Sequence, residues 1–365
     1  MFVNWHRSVM CYENMVMKKI VVTAALAAIT LPAISQRYNR EEPIQTQSLS
    51  NSDIREVYAE TSGGNLLIQG VNAGEARIEV YVWPGNDRDR NLTKEEVEKR
   101  LSEEYDLTIT IDNHNLKAIA KRKPLSYKRR NSLGISFRMY VPTNINSELR
   151  TSGGNIVLKN LTGGKQQFTT SGGNIAVDHV SGSIRGATSG GNIHIAHSMK
   201  DIDISTSGGN IAAETVEGNI KLHTSGGNIS LEDLNGTIDA GTSGGSIAAK
   251  NIDGSLRAVS SGGNLSLTGL SCGLDASTSG GNMDVAVLKL VEHVTLNNSG
   301  GNTVLKLPAN AAVDLQLRAR KVKAGSMTGF NGTIDEKHIE GTLNGGGIPV
   351  KVDGGNGSVA VEFNQ

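Results

Sequence analysis

The chain has 365 residues, of which 44 are glycine and only 7 proline, and its aromatic content is 4%. That glycine share is well above the ~7% of ordinary proteins, yet the composition fits neither collagen nor a proline-rich disordered chain, and it leaves little with which to build a bulky globular core. Thirty-six basic and 36 acidic residues cancel, which excludes bulk attraction to nucleic acid or an anionic membrane, and two cysteines, Cys11 and Cys272, supply neither a disulfide framework nor a cysteine zinc site.

Met17-Lys18-Lys19 precedes an apolar run from Ile20 to Leu31, followed by Pro32-Ala33-Ile34-Ser35. A basic head, a short apolar stretch and small residues at the cut are the parts of an export signal. The run is too short to span a bilayer comfortably. Met1 to Val16 do not read as the head of a signal, so Met17 is an expected alternative start of translation. Residues 1–35 are thus the expected signal peptide and 36–51 a linker. The mature chain would carry a net charge of −2, one cysteine and no transmembrane segment. Its expected location is the periplasm, the cell surface or the medium.

Residues 52–150 read as a first coil through Leu66, Ile68 and Val71, then a cap. Thr93 with Glu96 forms a capping box, and Val97, Leu101 and Tyr105 follow at helical spacing. Two strand-like runs, Leu107 to Ile111 and Leu116 to Ala120, flank Asp112-Asn113-His114-Asn115 and predict a hairpin.

From 151 to 304 the tetrapeptide Ser-Gly-Gly-Asn recurs. Its serines from Ser152 onward are spaced by 19, then six times by 18, then by 20 residues. A short fixed period marks a solenoid. Stacking the repeats aligns Ile156, Ile175, Ile193, Ile211, Ile229 and Ile247, and in a further column Ile184, Ile202, Ile220 and Ile238. The alternation is that of strands, and a unit with two glycines is too short for a helical hairpin. The expected fold is therefore all-β: a single-stranded parallel β-helix, right-handed, of 18-residue coils, with a small N-terminal α+β cap. Residues 305–365 are expected to continue the coils. The glycine pair is expected to supply backbone angles that a side chain forbids. The turn ladder Asn155, Asn174, Asn192, Asn210, Asn228, Asn264, Asn282 and Asn302 is expected to tolerate left-handed geometry and to bond to the backbone or to stacked neighbours. An outer column, Arg185, Asp203, Lys221, Asp239, Arg257 and Asp275, alternates in sign and would disfavour a one-coil slip.

Ile135 to Pro142, then Ser147 to Ile156, together with Leu305-Lys306-Leu307-Pro308 and Gly345 to Val350, resemble the bacterial "putative adhesin" family of unknown function, whose pattern is an extended strand, a Val-Pro and repeated Ser-Gly-Gly-x-Ile coils. The resemblance covers roughly 52–365, with similarity to autotransporter adhesin heads. It departs at Ser246, which stands in the asparagine column, and in the two extra residues before Ser299. It implies a secreted or envelope-exposed β-helix and brings no catalytic residues with it.

Several groups are candidate sites. Glu214 and Glu232 stack one coil apart, in a column with Asp178, Lys159 and Lys250, but no long insertion builds a groove wall around them. This column reads as a solvated face. Of His179, His194, His197, His223 and His293, His179 and His197 would stack, but without an aligned carboxylate they make a weak metal site. The turns carry Asn where calcium β-rolls carry Asp. Lys121, Arg122, Lys123, Lys128, Arg129 and Arg130 form the densest basic patch, a candidate contact for an anionic ligand. Cys272 falls in a glycine column and reads as a small residue at a turn.

The expectation is a non-enzymatic adhesin-like solenoid with no catalytic, metal or cofactor residues, whose partner is a surface glycan or an envelope protein. The rivals are a β-helix enzyme acting on polysaccharide and a structural spacer. The export signal predicts a mature N-terminus at Gln36 or within about three residues of it. Intact-mass analysis of protein from the native host checks this, and a mass that retains Met17 to Ser35 contradicts it.

Overall fold

The computed structural model describes residues 41–85, 92–124 and 132–364. The expected signal peptide and residues 36–40 of the expected linker lie outside the described residues. The linker reading of 41–51 is corrected, since Gln45–Ser48 form a strand paired with residues 77–80 and Leu49 is buried. Among the described residues the secondary structure is β-strand apart from one α-helix and short 3-10 turns.

The regular part consists of β9 (Ile156–Thr170), β10 (Ile175–Thr188), β11 (Ile193–Ala196), β12 (Met199–Thr206), β13 (Ile211–Thr224), β14 (Ile229–Thr242), β15 (Ile247–Ser260) and β16 (Leu265–Thr278). Successive coils pair in parallel, with β11 and β12 together making the one coil between β10 and β13. On β13, β14 and β15 each residue lies opposite the one 18 later, as in Ile211↔Ile229↔Ile247. Ile211, Ala213, Val216, Ile220 and Leu222 of one coil are all buried, and so are their counterparts above and below. Neighbours of unequal size complement one another: a methyl placed on Gly186 would overlap the Phe168 ring, which fills the space instead.

The turn between coils is held by a repeated set of bonds. Thr206 Oγ1 donates to the carbonyl of Gly191 in the coil before and accepts from Gly209 N–H in its own. Asn210 N–H donates to Asn192 Oδ1 at 2.8 Å. Ile211 N–H donates to the carbonyl of Asn228 in the coil after. The set recurs from coil to coil, so a turn that faces solvent leaves few backbone groups unpaired.

Two expectations about this turn are corrected. Neither glycine of the pair has a positive φ, and neither do the ladder asparagines. The second glycine is required by close approach: a Cβ on Gly209 would lie 1.9 Å from the Gly191 carbonyl oxygen. Left-handed non-glycine residues recur instead at a corner midway round each coil. They are Asn160, His179, His197, Thr215, Asp233 and Asn251, with φ between 47° and 56°.

Both ends of the stack invert the chain order. At the N-terminal end β1 (Gln45–Ser48), β2 (Glu56–Thr61), β3 (Leu66–Val71) and β4 (Arg77–Pro84) precede α1 (Lys94–Glu104), followed by β5 (Tyr105–Asp112), β6 (Asn115–Arg122), β7 (Leu133–Pro142) and β8 (Asn146–Thr151). β2 lies between β8 and β6, and β3 between β9 and β7, all in parallel. β5 and β4 then cover β6 and β7 in antiparallel fashion, and β1 pairs with β4. The Thr93–Glu96 capping box is present, and Asn113 and His114 make the positive-φ turn of the hairpin.

At the other end come β17 (Met283–Val287), β18 (Val294–Asn298), β19 (Thr303–Pro308), β20 (Val313–Arg318), β21 (Lys321–Ala324), β22 (Phe330–Ile334), β23 (His338–Leu343), β24 (Ile348–Asp353) and β25 (Ser358–Asn364). β24 lies between β18 and β20, and β25 between β19 and β21. Parallel coil pairing thus continues into 305–365 through β24 and β25, while β23 runs antiparallel to β20 and β22 antiparallel to β23, a departure from the coils expected there. An open parallel coil would present unpaired strand edges, and at both ends antiparallel strands cover them.

The two glycines of one turn separate close approach from backbone freedom. A Cβ on Gly208 would meet nothing nearer than the Ser189 carbonyl oxygen at 3.6 Å. Gly208→Ala should change stability by less than about 1 kcal/mol, and Gly209→Ala should cost about 2–3 kcal/mol or more. Urea melts of the two variants decide, and equal losses contradict the assignment.

Candidate functional site

A concavity of about 880 Å³ runs along the stack beside the turns. Its rows come from the strand end of each coil. The exposed serines Ser171, Ser189, Ser207, Ser225 and Ser243 form one wall. Ser205, His223, Gly241 and Val259, from successive coils, line the other side. Between these rows stand Thr188, Thr206, Thr224 and Thr242, buried and with their hydroxyls committed to backbone bonds. The free polar surface is therefore that of the serines, with His223 and Arg257 as the titratable groups of the lining. A Cβ on Gly241 would sit 2.6 Å from His223 Nδ1, so that glycine is what lets the imidazole lie along the next coil. A second depression, of about 330 Å³, shares Thr169, Ala187 and Ser205 and continues to Arg185 and Asp203.

The charge ladder Arg185, Asp203, Lys221, Asp239, Arg257 and Asp275 stands in register, each residue opposite the next. Arg257 Nη1 reaches Asp239 Oδ1 at 2.9 Å, and the flanking His223 and His293 approach Asp239 and Asp275 at 3.8 and 3.3 Å. The ladder asparagines bond as a chain that extends beyond the expected set. It starts where Asn65 N–H meets Ser136 Oγ, and it ends where Ser358 N–H meets Asn302 Oδ1. Ser246 keeps it unbroken by accepting from Asn264 N–H through its hydroxyl.

The carboxylate column divides. Lys250 Nζ closes on Glu232 Oε1 at 2.6 Å, and Glu214 lies in register with Glu232. Asp178 points elsewhere, into the histidine pair. Asp178 Oδ1 is 2.8 Å from His179 Nδ1 and 3.1 Å from His197 Nδ1, and the two rings stack with centroids 4.6 Å apart. The expectation that no carboxylate aligns with these histidines is corrected. Strand alternation puts residues 178 and 179 on opposite faces, but the left-handed corner at His179 breaks the alternation and brings both outward. A signal was present in the sequence: Asn, His, Asp and Gly, the residue types that best tolerate positive φ, dominate this column.

Burial pushes the Asp178 carboxyl up, but the hydrogen bonds from His197 and His179 outweigh this and leave it below the usual range. The described half of the basic patch is engaged: Lys121 pairs with Glu60 at 3.1 Å, Arg122 with Glu104 at 3.6 Å and Lys123 with Asp106 at 3.8 Å. Lys128, Arg129 and Arg130 lie outside the described residues. Cys272 is buried, and burial, helped by Asp253, pushes its thiol up to about 12. A thiol so protonated is a poor nucleophile.

The family model described as Toastrack DUF4097 matches residues 73–264, more than half of the chain. The chain is a member of the Toastrack DUF4097 family. This agrees with the resemblance to a family of unknown function read from the sequence. No curated protein matches it. A solved structure that it matches is that of a "putative cell adhesion protein" from Clostridium sporogenes, 9% identical, covering 88% of this chain and 98% of that one with a TM-score of 0.19. At that score and identity the likeness does not bear on function. Among the described residues no helix is long and apolar enough to cross a membrane.

Proposed function

We propose that this chain is an exported, non-enzymatic, adhesin-like solenoid, a right-handed single-stranded parallel β-helix of 18-residue coils that presents a hydroxyl-lined groove to an extended surface glycan. The observation that carries the reading is the groove itself, in which one exposed serine is contributed by each of several successive coils. Coils stacked ~4.8 Å apart repeat the same donors and acceptors at a fixed step. Such a surface suits a linear polymer with regularly spaced hydroxyls, held by many weak contacts. The non-enzymatic part draws support from the carboxylates: Glu232 is paired with Lys250, and Glu214 stands beside it on an outward column. General acid–base cleavage needs two groups that converge across a bond.

Single serine substitutions should change little, and filling the groove should abolish binding. The test is retention of the mature chain on immobilised bacterial and host polysaccharides, with Ser207→Arg/Ser225→Arg as the filled variant. The expected result is retention of the parent chain by at least one glycan, weakened about tenfold or more in the filled variant, with no new reducing ends. Equal retention of both forms sinks the groove. Turnover that disappears in Glu214→Gln/Glu232→Gln favours the enzyme instead.

A further inference from the structure

We propose that Asp178, His179 and His197 form a binding site for one divalent transition-metal cation of the zinc class, placed on the corner where two successive coils meet.

One donor atom from each of the three residues lies within 4.8 Å of the other two, and both Nδ1 atoms face Asp178 Oδ1. Zinc bonds of about 2.0–2.1 Å imply donor–donor edges of about 3.3 Å in a tetrahedron and about 2.9 Å in an octahedron. The Asp178–His179 and Asp178–His197 separations, 2.8 and 3.1 Å, are already near those edges. The third edge, between the two histidines, is no longer than 4.8 Å and closes by rotation of side chains that are exposed or half-buried.

The backbone holds the geometry. His179 and His197 occupy the same left-handed position in consecutive coils, with φ of 54° and 47°. Their coils are locked by parallel pairing of Ile175 to Asp178 with Ile193 to Ala196. Two imidazoles and a carboxylate are borderline donors that suit zinc and its neighbours and leave further positions for water. Calcium, which takes six to eight oxygens, is poorly served. Binding shifts each imidazole to the Nε2–H tautomer and places the Nδ1 lone pair on the metal. The carboxylate supplies the negative charge. In register with Asp178 stand Lys159 on one side and Ala196 on the other, and Glu214 follows Ala196.

The same corner elsewhere carries Asn160, Thr215, Asp233 and Asn251. Asn251 donates to Asp233 along the stack at 2.9 Å. Asparagine is thus native to this position, and His→Asn changes the donors without asking the backbone for a new conformation.

The test is calorimetric titration of the untagged full chain with Zn²⁺, with Ca²⁺ in parallel, alongside thermal melts. His179→Asn, His197→Asn and Asp178→Asn are compared with the parent. The other six histidines remain in every form, so background binding by them cancels. The expected result is one Zn²⁺ per chain, a rise in melting temperature with zinc, affinity at least about tenfold weaker in each variant, and no matching response to Ca²⁺. No zinc binding by the parent chain overturns the proposal. So does zinc affinity unchanged in the His179→Asn/His197→Asn double variant while its circular dichroism is that of the parent.

Discussion

A chain that steps upward by one coil must turn in contact with solvent while keeping its backbone donors and acceptors paired. The Thr-Ser-Gly-Gly-Asn turn solves this with side chains that bond along the stack. The threonine hydroxyl bridges Gly191 and Gly209, the asparagine carboxamide reaches the next Asn N–H, and the second glycine lets one carbonyl stand where a Cβ would be. Each such bond contributes about 1 kcal/mol net, and leaving its partner buried and unpaired costs about 1–3 kcal/mol. The turn therefore enforces register more strictly than the apolar interior can, because Ile, Leu and Val columns tolerate one another.

The remaining features follow from that register. In-register stacking makes columns, and columns make the serine-walled groove, the alternating charge ladder and the histidine pair. The ladder contributes little stability, since exposed pairs are worth about 0–1 kcal/mol each, but a slip by one coil would bring like charges together. The ends obey the same rule. The Asn–Ser chain of bonds runs through the inverted first and last coils to Ser136 and Ser358, so these coils are built on the same turn although their sequence order differs.

Much of this was legible in the sequence. The spacing of Ser152, Ser171 and Ser189 points to stacked strands, and the isoleucine columns point to the buried face. The Thr93–Glu96 box locates the helix. What stayed hidden has physical causes. The threonine before each Ser-Gly-Gly reads as an ordinary strand residue until its hydroxyl is seen to bond to two turns at once. The inverted ends depend on long-range pairing such as β2 with β6 and β24 with β20, which no local pattern encodes. The Asp178–His179–His197 cluster was missed because alternation assigns opposite faces to neighbours, and one positive φ reverses that. The groove was missed because it is lined by small polar residues that taken singly carry no signal.

The central claim is that solvent-facing turns are locked by side chains of adjacent coils. Native-state hydrogen exchange tests it most directly. If the account holds, the amides of Gly208, Gly209, Asn210 and Ile211, which are bonded to Ser189, Thr206, Asn192 and Asn228, exchange as slowly as those of the flanking strands, through global unfolding. Exchange of these amides at the rate of an open loop, while the strands stay protected, would contradict it.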